Sequence, residues 1–333
     1  MSPGEPLAVG VLGAADIAWR RTAPAIERCD GLRLAAVASR TGEKASAFAA
    51  RFGCEAVTGY ERLLERDDIQ AVYVPLPNAL HERWAAEALS AGKHVLVEKS
   101  LTARAGPAAA LAEAARARGL ALMENFAFLH HAQHGQVREL VAAGAIGTPR
   151  GFAASFGIPR GDRSLIRYRP ELDGGALLEV GTYTVRAAQL YLGADAEVAG
   201  AVLVRDPETG VDVAGSALLA DGRGLTAQCD FGMDHSYRCT YAVWGSEGRV
   251  SLDWAFTPPP GERPVLRIER GRTREERPLP ADDQFLRMVT AFADACADPA
   301  GHGEHGADVV RQARLLEEIR GRARVVPAPA LST

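Results

Sequence analysis

The chain has 333 residues, 47% of them hydrophobic and 24% charged, with a formal net charge of −4. That length favours two domains, and the composition is that of a soluble globular protein able to bury a sizeable core. A mildly acidic chain with no basic block or arm argues against nucleic acid, or an anionic membrane, as the main partner.

In chain order, "LAVGVL" reads as a strand and residues 16–28 as a helix with Pro24 in or near it. "LRLAAVAS" is the next strand, and residues 43–52 the next helix. "AVYVPL" is followed by a helix over 80–91, "HVLVE" by one over 107–118, and "LALMEN" closes the series. Near-continuous apolar strands separated by helices predict a parallel sheet covered on both faces, with right-handed crossovers.

After Asn125 the rhythm changes, which sets domains over 1–124 and 125–333. A helix over 134–143 leads into "RGFAASFGI", a basic loop ending in "DGG" and a helix over 182–192. Six β-rich segments then follow without helices between them: "VAGAVLV", "DVAGSALLA", "GLTAQCDFG", "YRCTYAVWG", "RVSLDW" and "VLRIER". Turn signals such as "DGRG" and "GSEG" predict an antiparallel meander. In "DVAGSALLA" both alternating sets are apolar or small. The second face of that sheet is therefore expected to pack on another copy of the chain rather than on helices of its own. Helices over 283–297 and 307–322 end the pattern, the first with Phe285, Met288, Val289, Phe292 and Cys296 on one face.

The first strand runs into "GAADIA", Gly13 to Ala18, where a dinucleotide fingerprint G-x-G-x-x-G/A belongs. Gly13 supplies the tight turn, Ala15 replaces the middle glycine, Asp16 and Ile17 open the helix, and Ala18 is an accepted third position. The second strand ends in Ser39 and Arg40 with no acid beside them, and Lys44 lies one turn into the next helix. An arginine there forks onto a 2′-phosphate, so the expected cofactor is NADP(H). Ligands of such a sheet bind beyond the carboxyl ends of the strands. "PLPNALH", with Pro75, Leu76, Asn78 and His81, and the pair Glu98–Lys99 both follow strands and face the nicotinamide end. Lys99 is placed either to donate to a carbonyl oxygen or to lower the pKa of a neighbouring phenol.

His130 and His134 stand at helical spacing but lack the acid of H-E-x-x-H and a third ligand, so no metal is expected. Cys29, Cys54, Cys229, Cys239 and Cys296 are odd in number and lack C-x-x-C spacing, as for core packing in a reducing cytoplasm. The opening "MSPGEPLAVGVLGAADIAW" has no positive n-region or cleavage site, and no apolar run is long enough to span a bilayer.

"AGKHVLVEKSL", "MENFAFLHH" and "DGGALLEVGTY" resemble the glucose–fructose oxidoreductase and inositol dehydrogenase family over essentially the whole chain. "HHAQH", "SLIRYRP" and "FGMDH" resemble its subset of NADPH-dependent 3-ketoreductases acting on nucleotide-linked 3-keto-deoxysugars. The resemblance implies an α/β protein: an N-terminal Rossmann doubly wound parallel sheet, then a C-terminal α+β domain with a large open, mostly antiparallel sheet. That second domain would bind substrate and form dimers or tetramers.

The resemblance puts Lys99 beside the nicotinamide and the reacting carbon. Glu179 and Tyr183 stand where the family carries an acid and a histidine. Asn125, Phe126, His131, Arg167 and Tyr168 join them as expected contacts of a dTDP-linked sugar. Tyrosine in place of histidine suits ketone reduction, because a phenol is protonated at neutral pH. Ser100 replaces the family's proline, often cis. Either the loop is trans and Lys99 is re-aimed, or the chain keeps a cis bond costing roughly 2.5–4 kcal/mol. An NADP-dependent sugar or trans-diol dehydrogenase, and a non-enzymatic NADP-responsive regulator on this fold, are the competing readings.

Overall fold

The computed structural model describes residues 5–329; the ends of the two expected domains, residues 1–4 and 330–333, lie outside the described residues. The chain forms two compact units: the described part of Met1–Ala127 with Phe285–Ala313, and Phe128–Gln284 with the described part of Arg314–Thr333.

The first unit opens with β1 (Leu7–Leu12), a π turn at Ala18–Thr22, α1 (Ala23–Glu27), β2 (Leu32–Ser39) and α2 (Gly42–Phe52). It continues with β3 (Glu55–Thr58), α3 (Tyr60–Leu64), β4 (Ala71–Val74), α4 (Asn78–Ser90), β5 (His94–Glu98), α5 (Ala105–Arg118) and β6 (Leu122–Asn125). Its six strands are all parallel, in the order β3-β2-β1-β4-β5-β6. Both sheet faces are covered, as period-two burial in β1 shows. Leu7, Val9 and Val11 join one apolar cluster, Ala8 and Leu12 the other. The π turn sits just ahead of Pro24. Proline has no N–H and clashes with the preceding turn, and the widened turn, closed by Ala23 N–H on the Ala18 carbonyl, accommodates it.

The second unit comprises α6 (Ala132–Ala142), β7 (Pro149–Gly157), a π turn at Leu177–Gly181 and α7 (Thr182–Leu192). Then come β8 (Glu197–Arg205), β9 (Asp212–Ala220), β10 (Thr226–Gly232), β11 (Arg238–Gly245), β12 (Arg249–Asp253), β13 (Val265–Arg270) and β14 (Thr273–Pro278). The closing elements are α8 (Gln284–Ala297), α9 (Glu304–Arg322) and β15 (Ala323–Pro327). The nine-stranded sheet runs β14-β13-β12-β11-β7-β10-β9-β8-β15. It is mostly antiparallel but not a simple meander: β7 inserts between β10 and β11, and the β7–β10 and β8–β15 pairs are parallel.

One face of this sheet is covered, with Phe152, Ala154, Ala217, Leu219, Cys229 and Phe231 all buried. Among the described residues nothing covers the other face at Leu218 and Trp244, which are 47% and 67% exposed. The covering of that face by helices, one of the two readings of "DVAGSALLA", is therefore not found.

Three strands carry no signal in the sequence. β3 and β15 are short edge strands, and β14 ("TREERP") is exposed throughout, carrying no apolar alternation. Charged edges of this kind discourage pairing with other chains.

Helix α8 packs in the first unit, although the sequence placed it in the second domain. Met288, Val289, Phe292 and Cys296 join the cluster of Val9, Val11 and Tyr73, with Phe285 partly buried against it. Phe292 is 1% exposed. Phe292→Ala should therefore lower the unfolding free energy by about 3–5 kcal/mol in a denaturant titration. A loss within the range of a surface substitution would show that α8 is not part of that core.

Candidate active site

In the first unit the strand order reverses between β1 and β4, and in doubly wound sheets ligands bind beyond the carboxyl ends of the strands at such a point. Gly13 turns the chain out of β1 at φ +122°, its N–H on the Ala38 carbonyl and its own carbonyl taking Ala15 N–H. A Cβ at this position would stand 2.8 Å from Leu76 Cδ2. The glycine is required by its φ, whereas the Leu76 side-chain tip could move aside. Asp16 and Ile17 begin the helix, and Asp16 pairs with Arg20 at 2.7 Å in an exposed i,i+4 bridge.

At the end of β2, Ser39 is buried and Arg40 and Lys44 are exposed. Tyr60, at the start of α3, hydrogen-bonds Arg40, while burial raises the Tyr60 phenol against the opposing influence of that guanidinium. Gly59 N–H donates to the Ser39 carbonyl, tying the two segments. Tyr60 was not singled out from sequence. Its signal, a tyrosine one residue past "TG", is too slight to read.

The pair Glu98–Lys99 ends β5, where Glu98 lies in register with Asn125 of β6. Glu98 Oε1 accepts from the Tyr73 hydroxyl and from Asn125 Nδ2, each at 2.6 Å. Thr22 Oγ1 donates to the Tyr73 hydroxyl at 3.1 Å, and Lys99 N–H donates to Glu98 Oε2 at 3.3 Å. Burial raises the Glu98 carboxyl above its usual range, against the pull of Tyr73, Lys99 and Asn125. Burial also holds the Tyr73 phenol well above 10, and the Glu98 charge adds to the effect. Asn125 Oδ1 is buried without a hydrogen-bond partner.

The loop after β5 is pinned from two sides. Leu101 N–H donates to Glu124 Oε1 at 2.7 Å, and His81, fully buried, reaches the Ser100 and Leu76 carbonyls with its two ring nitrogens at 2.8 and 2.6 Å. The Lys99–Ser100 peptide is cis, which decides between the two loop forms left open by the sequence. Pro75 is buried, Asn78 begins α4, and Phe126 is 1% exposed among the core side chains.

The remaining expected residues lie in the second unit. Gly175, at φ +125°, has no room for a Cβ beside Asp212 Oδ1, only 2.4 Å away. Asp212 Oδ2 accepts Leu177 N–H at 2.7 Å, holding the start of the helix that carries Glu179 and Tyr183. Burial raises the Asp212 carboxyl above its usual range. Arg167 and Glu179 face each other at 3.2 Å, each about one-third exposed. Tyr183 follows a π turn and is ringed by Phe128, Phe156 and Phe256, with centroids 5.2–5.9 Å away. Tyr168 is buried: its hydroxyl accepts Gly161 N–H and reaches the Met233 carbonyl. His131 caps α6 by accepting Gln133 N–H. His134 stacks on Tyr241 with Nδ1 3.0 Å from its hydroxyl, and burial drives its pKa down to about 3. Among the described residues no group of three or more His, Cys, Asp or Glu is placed to hold a metal, and no helix is long and apolar enough to cross a membrane.

A doubly wound sheet with a glycine turn after its first strand and an acid–base pair at the end of β5 describes a dinucleotide-dependent oxidoreductase. The chain belongs to the GFO/IDH/MocA oxidoreductase family, matching its NAD-binding Rossmann fold over residues 7–126 and its C-terminal domain over 134–251. It is 52% identical over 330 residues, 96% of each chain, to dTDP-3,4-didehydro-2,6-dideoxy-alpha-D-glucose 3-reductase from Streptomyces violaceoruber. A solved 3-ketoreductase from Actinomadura kijaniata, in complex with NADP and TDP-benzene, is 49% identical. The likeness covers 98% of this chain and 100% of that one with a TM-score of 0.93. The same reductase has been solved with a lysine replaced by glutamate or alanine, and with a tyrosine replaced by phenylalanine. D-xylose 1-dehydrogenase (NADP(+)) 2 of Haloferax volcanii is more distant, 36% identical over 86% of this chain and 88% of its own.

The raised Glu98 carboxyl has a testable sign. The folded chain holds that proton more tightly than the unfolded one, so this group's contribution to stability falls as pH rises from about 4.5 through the folded value. Glu98→Gln removes the titration. The stability difference between the unaltered chain and the variant should therefore drift against the unaltered chain across that window and then level off, in denaturant titrations at a series of pH values. A difference independent of pH would contradict the burial assigned to Glu98.

Proposed function

We propose that this protein reduces the C3 ketone of a nucleotide-linked 3-keto-6-deoxyhexose, with NADPH as reductant and thymidine diphosphate as the nucleotide. The observation that carries the proposal is identity of 49–52%, over nearly the full length, with four proteins named dTDP-3,4-didehydro-2,6-dideoxy-alpha-D-glucose 3-reductase. The first unit fits the cofactor: Gly13 makes the positive-φ turn after β1 that a dinucleotide site calls for, and Asn125 Oδ1 is a buried acceptor in want of a donor. The first unit serves the dinucleotide, and the second serves the sugar and assembly.

In this reading Ser39 and Arg40, with Lys44, take the 2′-phosphate, and Gly13, Ala15, Asp16 and Ile17 take the pyrophosphate. Pro75, Leu76, Asn78, His81 and Glu98 shape the floor of the nicotinamide end. Bound NADPH supplies a hydride to the carbonyl carbon. The chain must then deliver one proton to the carbonyl oxygen and hold that oxygen while charge develops on it. Tyr183 suits the donor's task, because a phenol is ordinarily protonated at neutral pH, and Phe128, Phe156 and Phe256 pack around its ring. Lys99 suits the second task, a cation at the end of β5 that stabilises the developing oxyanion. The two residue types are those replaced in the solved variants of the Actinomadura reductase. Arg167 meets the substrate's diphosphate while remaining paired with Glu179.

The five cysteines are free thiols, in keeping with a cytoplasmic enzyme of deoxysugar and antibiotic biosynthesis. The bare sheet face, where Val202, Ser216 and Leu218 lie on neighbouring strands with Trp244 further along, is the surface through which copies would assemble. A monomer by light scattering would contradict that assembly.

With a dTDP-linked 3-keto-deoxyhexose, NADPH absorbance should fall, and kcat should drop by about 10²–10⁴-fold in Tyr183→Phe or Lys99→Ala. Arg40→Ala should raise KM for NADPH by about tenfold or more while leaving that for NADH nearly unchanged. No turnover, together with oxidation of free sugars by NADP, would replace the proposal with a dehydrogenase. Tight NADPH binding without reduction of any sugar ketone would replace it with a regulator.

A further inference from the structure

Asn125 ends β6 in register with Glu98 and is 3% exposed. The orientation of its amide is set by its neighbours. A carboxylate oxygen already taking the Tyr73 hydroxyl can only accept, so the side of Asn125 facing Glu98 Oε1 at 2.6 Å must be the NH2 group. Glu98 is held in turn: Tyr73 is fully buried and tied to Thr22, and the second carboxylate oxygen takes Lys99 N–H. Oδ1 is therefore directed away from the carboxylate, buried and without a hydrogen-bond partner. Buried side-chain acceptors in native proteins are nearly always paired, and the exceptions point to a group the chain itself does not supply.

The place of Asn125 in the sheet says which group that is. The adenosine phosphate end is marked by Ser39 and Arg40 after β2, on one side of the switch point between β1 and β4. β5 and β6 lie on the other side, so a dinucleotide crossing the crevice brings its nicotinamide half toward Asn125. That half carries two kinds of donor, the carboxamide N–H and the ribose hydroxyls. We infer that Asn125 is a cofactor-positioning residue whose Oδ1 accepts a hydrogen bond from the nicotinamide riboside of NADP(H), with Thr22, Tyr73 and Glu98 holding the amide in the accepting orientation. This rests on the NADP(H) reading above and moves Asn125 from the sugar to the cofactor.

The test is a binding measurement that needs no turnover. NADP+, adenosine 2′,5′-bisphosphate and the 3-acetylpyridine analogue of NADP+ are titrated against the unaltered chain and Asn125→Ala by calorimetry. The variant should bind NADP+ about five- to tenfold more weakly and the bisphosphate equally well. If the carboxamide is the donor, the analogue binds both proteins alike; if a ribose hydroxyl is the donor, it loses the same factor as NADP+. Unchanged NADP+ affinity, or an equal loss for NADP+ and the bisphosphate, would overturn the inference. Failure of the unaltered chain to bind any of the three would instead sink the NADP(H) reading itself. Should Asn125→Ala not fold, Asn125→Leu fills nearly the same volume and takes its place in the titrations. A crystal structure of the unaltered chain with NADP+ tests the same contact. Oδ1 within hydrogen-bond distance of a riboside or carboxamide donor supports the inference, and Oδ1 out of reach of both overturns it.

Discussion

The Glu98 carboxylate at the end of β5 is the constraint around which the first unit's site is arranged. β5 is apolar because both faces of the parallel sheet are covered, and the acid at its last position is only partly exposed. It has to be satisfied from neighbouring strands, and Tyr73 of β4 and Asn125 of β6 do this at 2.6 Å each. The cost of burial appears in the raised carboxyl, and the benefit is three side chains and the Lys99 backbone locked in one geometry. Lys99 leaves the strand from this fixed point. Its neighbours His81 and Glu124 hold the following loop by its backbone, so the path of the chain after the lysine is set by partners distant in sequence.

The second unit solves a similar problem with a different device. A helix must present Glu179 and Tyr183 from its first turns, where backbone N–H groups lack partners. Asp212, from β9, reaches across to accept Leu177 N–H, and Gly175 makes the close approach possible. The π turn at Leu177–Gly181 then offsets Tyr183 from an unbroken α-helical register, setting its ring among three phenylalanines.

Much of this was legible in the sequence, for identifiable reasons. β1, β2, β4, β5 and β6 announce themselves as apolar runs because they are buried on both sides. The α8 stripe from Met288 to Cys296 is the face that is buried, though its partner is the first unit rather than the second. β3, β14 and β15 stayed hidden because edge strands need no apolar pattern; β14 is held beside β13 partly by contacts such as Arg267 to Glu276. Tyr73, Thr22, Tyr60 and Asp212 were invisible for another reason. Each acts on a residue more than a dozen positions away, and only the fold says which polar side chain is brought against which. The same holds for the backbone groups that His81 and Tyr168 hydrogen-bond.

The central claim is that a hydride passes from the reduced cofactor to C3 of a nucleotide-linked sugar on this chain. Deuterium at nicotinamide C4 follows that atom directly. Incubating the protein with deuterated NADPH and the dTDP-linked 3-keto sugar, and reading the product by NMR, should place one deuterium on C3 for each NADPH consumed. Consumption of NADPH without label at C3, or label at another carbon, would contradict the account.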